Sequence, residues 1–332
     1  MTMRWSLWLL GLGGFAAAVW MVVDIGAGDV ASALAAIGWG ALLVLAFRAL
    51  PLWFDAAGWR VLFARGARPP MGVTWWVRWI SESVNALLPV AQIGGEVVRA
   101  HLISRSSVVP RPAIGTGEAA ATVIVDMTTG LIATALFSLT GLLLLLGRHA
   151  DVGVTGAVWW ALGGLALMTG GFVAAQRSGL VTRAVRAVAV RLARGRAGAF
   201  VAEMNTLDRA FERMWADHGA ILASAGWRFA SFLAGAAEVW LVLLLLGHPI
   251  GWDDALMLEA LSTAARSAAF AIPGGLGVQE GSLLVLGQLI GLDAPTALAL
   301  ALVKRLREVV TGLPALALWW WVGTRSPAPR EP

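Results

Sequence analysis

Asn85-Ala-Leu-Leu-Pro89-Val-Ala-Gln-Ile-Gly94-Gly95-Glu96-Val-Val-Arg99 sets an amide, a proline, two glycines, a carboxylate and a guanidinium inside a strongly apolar stretch. A second such stretch lies far downstream, Pro273-Gly274-Gly275-Leu-Gly277-Val-Gln-Glu280-Gly281. Each interrupts a helical pattern at its Pro/Gly cluster, and each carries a glutamate seven residues after the proline, Glu96 and Glu280. Seven residues before the prolines sit Glu82 and Arg266, opposite in sign. Paired interruptions at corresponding positions of a hydrophobic chain point to the central site of a transporter built from inverted repeats.

The surroundings confirm that lipid is the solvent. Hydrophobic residues make up 58% of the 332-residue chain and charged residues only 14%. The mean hydropathy is +0.76. Soluble chains carry about 25% charge. The apolar runs are continuous, without the alternation that a transmembrane barrel requires. The expected fold is therefore an all-α polytopic membrane protein forming a single transmembrane domain.

Charge places the loops. The net charge is +5, and in a membrane chain a basic excess marks cytoplasmic loops and does not imply nucleic acid. Trp5 to Val23 reads as a first retained span, and residues 30–47 as a second that ends before Pro51. Arg48, Arg60, Arg65 and Arg68 then form a basic, cytoplasmic region. Further spans follow at 115–147, 157–175, 220–247 and 295–322, so both termini are expected inside. Residues 177–217 are rich in arginine. Arg183, Arg186, Arg191 and Arg194 are interleaved with apolar residues, as in a helix lying on anionic lipid or in a plain cytoplasmic loop.

The two motifs form hairpins at 74–103 and 255–291. The arms of the first are about fourteen residues each, roughly 21 Å of helix at 1.5 Å per residue, short of the ~30 Å hydrocarbon core. It reads as re-entrant from the cytoplasm, and the second as entering from the other face. The total is about six full spans plus two oppositely oriented hairpins, or about eight spans if both hairpins cross.

Broken helices at membrane depth expose N–H and C=O groups that are tolerated only where they line a polar cavity. A half-helix N-terminus attracts phosphate or carboxylate, and intramembrane charge is costly enough to be kept for a site. The candidate residues are Glu82, Asn85, Pro89, Gly94, Gly95, Glu96 and Arg99 from the first motif. Arg266, Pro273, Gly274, Gly275, Gly277, Glu280 and Gly281 come from the second, with Asp126, Arg305 and Glu308 from adjoining spans. Lys304 and Arg307 sit beside them, and ion pairs that only hold helices together are the alternative reading of each. No cysteine is present, and His101, His149, His218 and His248 lack a partner at metal-ligand spacing, so no metal or cofactor is expected. No phosphate-cradling ATP motif appears.

At these motifs the chain resembles the lysylphosphatidylglycerol synthase transmembrane, or flippase-like, family, over about residues 5–323. The string from Val84 to Glu96 is most similar to its stand-alone subgroup found with hopanoid biosynthesis. The resemblance implies a bacterial inner-membrane protein that handles lipids, with hopanoid or phospholipid as cargo and lipid-biosynthesis enzymes as candidate partners. Bifunctional relatives move an aminoacylated phospholipid between leaflets, and a soluble C-terminal domain makes it. With the sequence ending at Pro332, aminoacyl transfer is not expected. A membrane-embedded headgroup transferase and a non-catalytic scaffold are the rival functions.

Overall fold

The computed structural model describes residues 28, 32, 35, 37–88, 94–105, 108–109, 114–148, scattered positions between 163 and 183, 197–269, 272 and 275–325. No strand occurs among them. The expected first span, the 157–175 span and Arg186, Arg191 and Arg194 lie wholly or largely outside the described residues, as do Pro89, Pro273 and Gly274.

In chain order the helices are α1 (Gly40–Phe47), α2 (Ala49–Arg60), α3 (Met71–Leu87), α4 (Gly94–Ile103), α5 (Thr116–Arg148), α6 (Ala197–Ala216), α7 (His218–Leu245), α8 (Trp252–Ala268), α9 (Val278–Leu289) and α10 (Ala294–Arg325). Gly40–Arg60, Thr116–Arg148 and His218–Leu245 are long and apolar enough to cross a membrane. Their outer faces carry exposed Leu136, Leu139 and Leu143 on α5, and Leu222, Trp240 and Leu244 on α7. Exposed apolar stripes of this kind suit contact with acyl chains. The 32 residues of α10 are also long enough, yet Lys304, Arg305, Arg307 and Glu308 interrupt their apolar run.

One boundary differs from the expectation. The second span does not stop before Pro51, because Arg48 joins α1 to α2 with helical backbone angles (φ −57°, ψ −26°). Pro51 falls in the first turn of α2, where a missing N–H costs nothing. Arg48 therefore lies mid-span and is not part of a cytoplasmic loop.

The helices pack as two sets that exchange partners. α2 packs on α3 as α7 packs on α8, α3 on α4 as α8 on α9, and α4 on α5 as α9 on α10. Between the sets, α3 packs against α10 and α5 against α8, while α2 and α7 meet directly. This is the pattern of a twofold internal repeat. Each set has an apolar core. Trp59, Phe63, Val77, Ile80, Leu102 and Val125 build the first. Val239, Leu243, Leu258, Leu283 and Leu300 build the second. α6, within the 177–217 segment, buries Leu207, Phe211 and Met214 in the first core, and its Arg213 pairs with Glu118 at 3.0 Å.

At the start of α10, the Asp293 carboxylate accepts the Thr296 N–H at 3.1 Å and so caps the helix. Hydrogen bonding from Thr296 holds this carboxyl below its ordinary range. The cap therefore contributes above the ordinary carboxylate pKa, and its contribution fades as pH falls through the lowered value. Asp293→Ala is expected to cost about 1 kcal/mol at neutral pH. Thermal unfolding in detergent should show the difference from wild type shrinking on acidification.

Candidate functional site

The two hairpins are made by local chemistry. α3 and α4 approach so closely that a Cβ on Gly95 would overlap the Ser81 carbonyl oxygen, and the Gly95 N–H donates to Asn85 Oδ1 at 2.8 Å. Only glycine allows that approach. In the second hairpin, Gly275 and Gly277 hold φ +64° and +79° and turn the chain into α9. The Glu280 carboxylate accepts the Gly277 N–H at 2.8 Å, closing the new helix with an acid in its first turn.

Both hairpins face one cavity of about 340 Å³. Among the candidates, Glu82, Asn85, Glu96, Arg266 and Glu308 line it. Arg48, Arg78, Glu259, Lys304 and Arg307 supply further charge, and Ser231, Ser262, Thr263 and Thr311 supply hydroxyls. Trp79 contributes an aromatic wall, and its indole N–H donates to the Thr311 carbonyl at 3.0 Å, tying α3 to α10.

Behind the lining stand two ionic hubs, one in each half. In the first, a single oxygen of Asp126, Oδ2, accepts from Arg99 at 2.6 Å, Arg78 at 2.8 Å and Arg228 at 3.2 Å. Asp126 is 1% exposed and Arg99 is fully buried. Arg99 also pairs with Glu96 and lies with its guanidinium carbon 4.6 Å from the Trp59 ring centre. Arg228 reaches Asp55 at 2.8 Å, Arg78 reaches Glu82 at 3.2 Å, and Arg48 reaches Glu82 at 2.5 Å.

In the second hub, Glu308 is met by Arg266 at 2.7 Å and Arg305 at 2.8 Å. Arg266 also donates to Gln279 at 3.1 Å, and Arg305 to Glu280 at 2.8 Å. Arg307 pairs with Glu238, and Lys304 with Glu259. The carboxylates of Asp55, Glu82, Glu96, Asp126, Glu238, Glu259, Glu280 and Glu308 are thus matched in number by Arg48, Arg78, Arg99, Arg228, Arg266, Lys304, Arg305 and Arg307. Buried charges persist only when paired and hydrogen-bonded.

The candidates separate into distinct positions. Arg99, Asp126, Glu280 and Arg305 sit behind the lining as members of the hubs. Both oxygens of Glu280 are engaged, one by Gly277 and one by Arg305. Gly94 begins α4, while a Cβ on Gly281 would meet open space. Sequence reasoning missed Asp55, Arg78, Arg228, Glu238 and Glu259, and it placed Arg48 in a loop. The signal was present in each case, since every one is an ionisable residue within an apolar helix. Among the described residues no cluster of His, Asp and Glu could hold a metal ion.

No curated protein and no solved structure matches the chain. The family model for the lysylphosphatidylglycerol synthase TM region does, over residues 8–315. An all-helical apolar bundle with a charged internal cavity agrees with that match, and the chain belongs to this family of multi-pass membrane proteins.

Proposed function

We propose that the protein moves a lipid between the leaflets of a bacterial inner membrane, passing the headgroup through the charged cavity while the acyl chains stay in the bilayer. The observation that carries this reading is the convergence of two packed helix pairs, α3–α4 and α8–α9, one from each half, on a polar chamber inside an apolar bundle. In this reading the hairpins are re-entrant from opposite faces within about six full spans, and both termini are cytoplasmic. Glu82, Glu96, Arg266 and Glu308 line the path of the headgroup, with Asn85 beside them. The hubs behind them hold the hairpins in place. The cargo is a hopanoid or a phospholipid, and lipid-biosynthesis enzymes would supply it. Exchange runs downhill, or is coupled to protons at Glu96.

The test is leaflet exchange of fluorescent lipids in vesicles containing the purified protein. Ala86 lines the cavity with a small side chain, so Ala86→Trp would fill it without touching any charge. Wild type is expected to speed exchange at least about tenfold over Ala86→Trp, a difference of roughly 1.4 kcal/mol in barrier. Equal rates for the two, with both folded by size-exclusion chromatography, would overturn the proposal. A headgroup transferase would instead leave a new lipid product detectable by mass spectrometry.

A further inference from the structure

The chamber holds its charge in pairs, and that restricts what can enter it. Its five lining cations already have carboxylate partners: Arg48 with Glu82, Arg78 with Asp126, Arg266 with Glu308, Lys304 with Glu259 and Arg307 with Glu238. An incoming charged group must therefore take a partner away from one of these pairs. A headgroup of net charge would leave one protein charge unmatched inside the bundle, which is strongly unfavourable. A headgroup bearing one anion and one cation splits a pair and re-forms two, and the total stays neutral. An uncharged polyol would replace ion pairs with dipoles and gain little from so charged a wall.

A second observation identifies one end of this ligand. Arg307 lines the cavity at 6% exposure, and its Nε–H has no hydrogen-bond partner among the described residues. A buried donor left unsatisfied is costly, so it calls for an acceptor. One helical turn back on the same face of α10 is Lys304 with its partner Glu259. A phosphodiester set between Arg307 and Lys304 would release Glu259 to receive a primary amine.

Resting on the transport reading, we propose that the chamber selects a net-neutral zwitterionic headgroup, a phosphodiester carrying a primary amine, over net-anionic and uncharged headgroups. The experiment uses the full-length protein in vesicles with acyl-labelled phosphoethanolamine, phosphoglycerol and monoglycosyl lipids as trace probes. Phosphoethanolamine is expected to exchange at least about tenfold faster than phosphoglycerol, as an unmatched buried charge requires, and faster than the glycosyl lipid, which re-forms no ion pair. Glu259→Gln leaves the chamber with one extra positive charge and should move the preference to phosphoglycerol. Glu259→Gln with Lys304→Gln removes one charge of each sign and should cancel the gain of phosphoglycerol. Equal exchange of all three probes, or an order unchanged by Glu259→Gln, overturns the selectivity and leaves transport standing. No exchange of any probe overturns both. If Glu259→Gln fails to fold, the wild-type order alone decides.

Discussion

Asp126→Asn is expected to destabilise the folded protein by about 3–5 kcal/mol, the cost of stripping one partner from a buried ionic cluster. Asparagine keeps the shape of the side chain and loses the charge that three guanidiniums share. The damage falls unevenly. Arg228 keeps Asp55, and Arg78 keeps Glu82. Arg99 keeps only Glu96 among its ion partners, is fully buried, and already has an Nε–H without an acceptor. Most of the loss should therefore trace to Arg99. Adding Arg99→Met removes the stranded charge while retaining a long side chain against Trp59, and the double variant should recover part of the loss. Unfolding in increasing dodecyl sulfate, followed by tryptophan fluorescence, measures both. An Asp126→Asn protein as stable as wild type would show that the hub carries no net stabilisation.

Gly95→Ala should be the most damaging added methyl group among the glycines whose surroundings are described. The added carbon would meet the Ser81 backbone oxygen and come within 2.8 Å of the Asn85 amide. A side chain could swing aside, but a helix backbone cannot. α4 must then move off α3, and the Gly95–Asn85 hydrogen bond opens. Overpacking costs about 1–3 kcal/mol, occasionally more, and here it also displaces Glu96 from the cavity wall. Stability and lipid exchange should therefore fall together. Gly281→Ala is the matched control, since its Cβ enters open space on α9. It should stabilise by about 0.5–1 kcal/mol through helix propensity, with exchange unchanged.

These residues show what could be read from the sequence. The limits of α5, α7 and α10 fall within a few residues of the expected spans, because each apolar run is bounded by polar or charged residues that water solvates. The two motifs were legible because proline and glycine break helices locally. Partner choice was not. Arg228 meets Asp126 across 102 residues and Lys304 meets Glu259 across 45. Only the packing of α7 on α5, and of α8 and α10 on the α9 they share, decides such pairs. Arg48 was misplaced for a related reason, since a proline beside a charge reads as a loop until its position in the first helical turn is known. A lone Glu238 within α7 offers no periodicity that would point to Arg307.

The exchange of packing partners has a consequence for assembly. Because α3 rests on α10 and α5 on α8, neither half owns a complete wall of the chamber. A chain severed between 148 and 197 would give two fragments, the first with Asp55 and Asp126 lacking Arg228 and the second with Arg228 lacking both carboxylates. Such fragments are mutual chaperones: each is soluble in the bilayer only as the complement of the other.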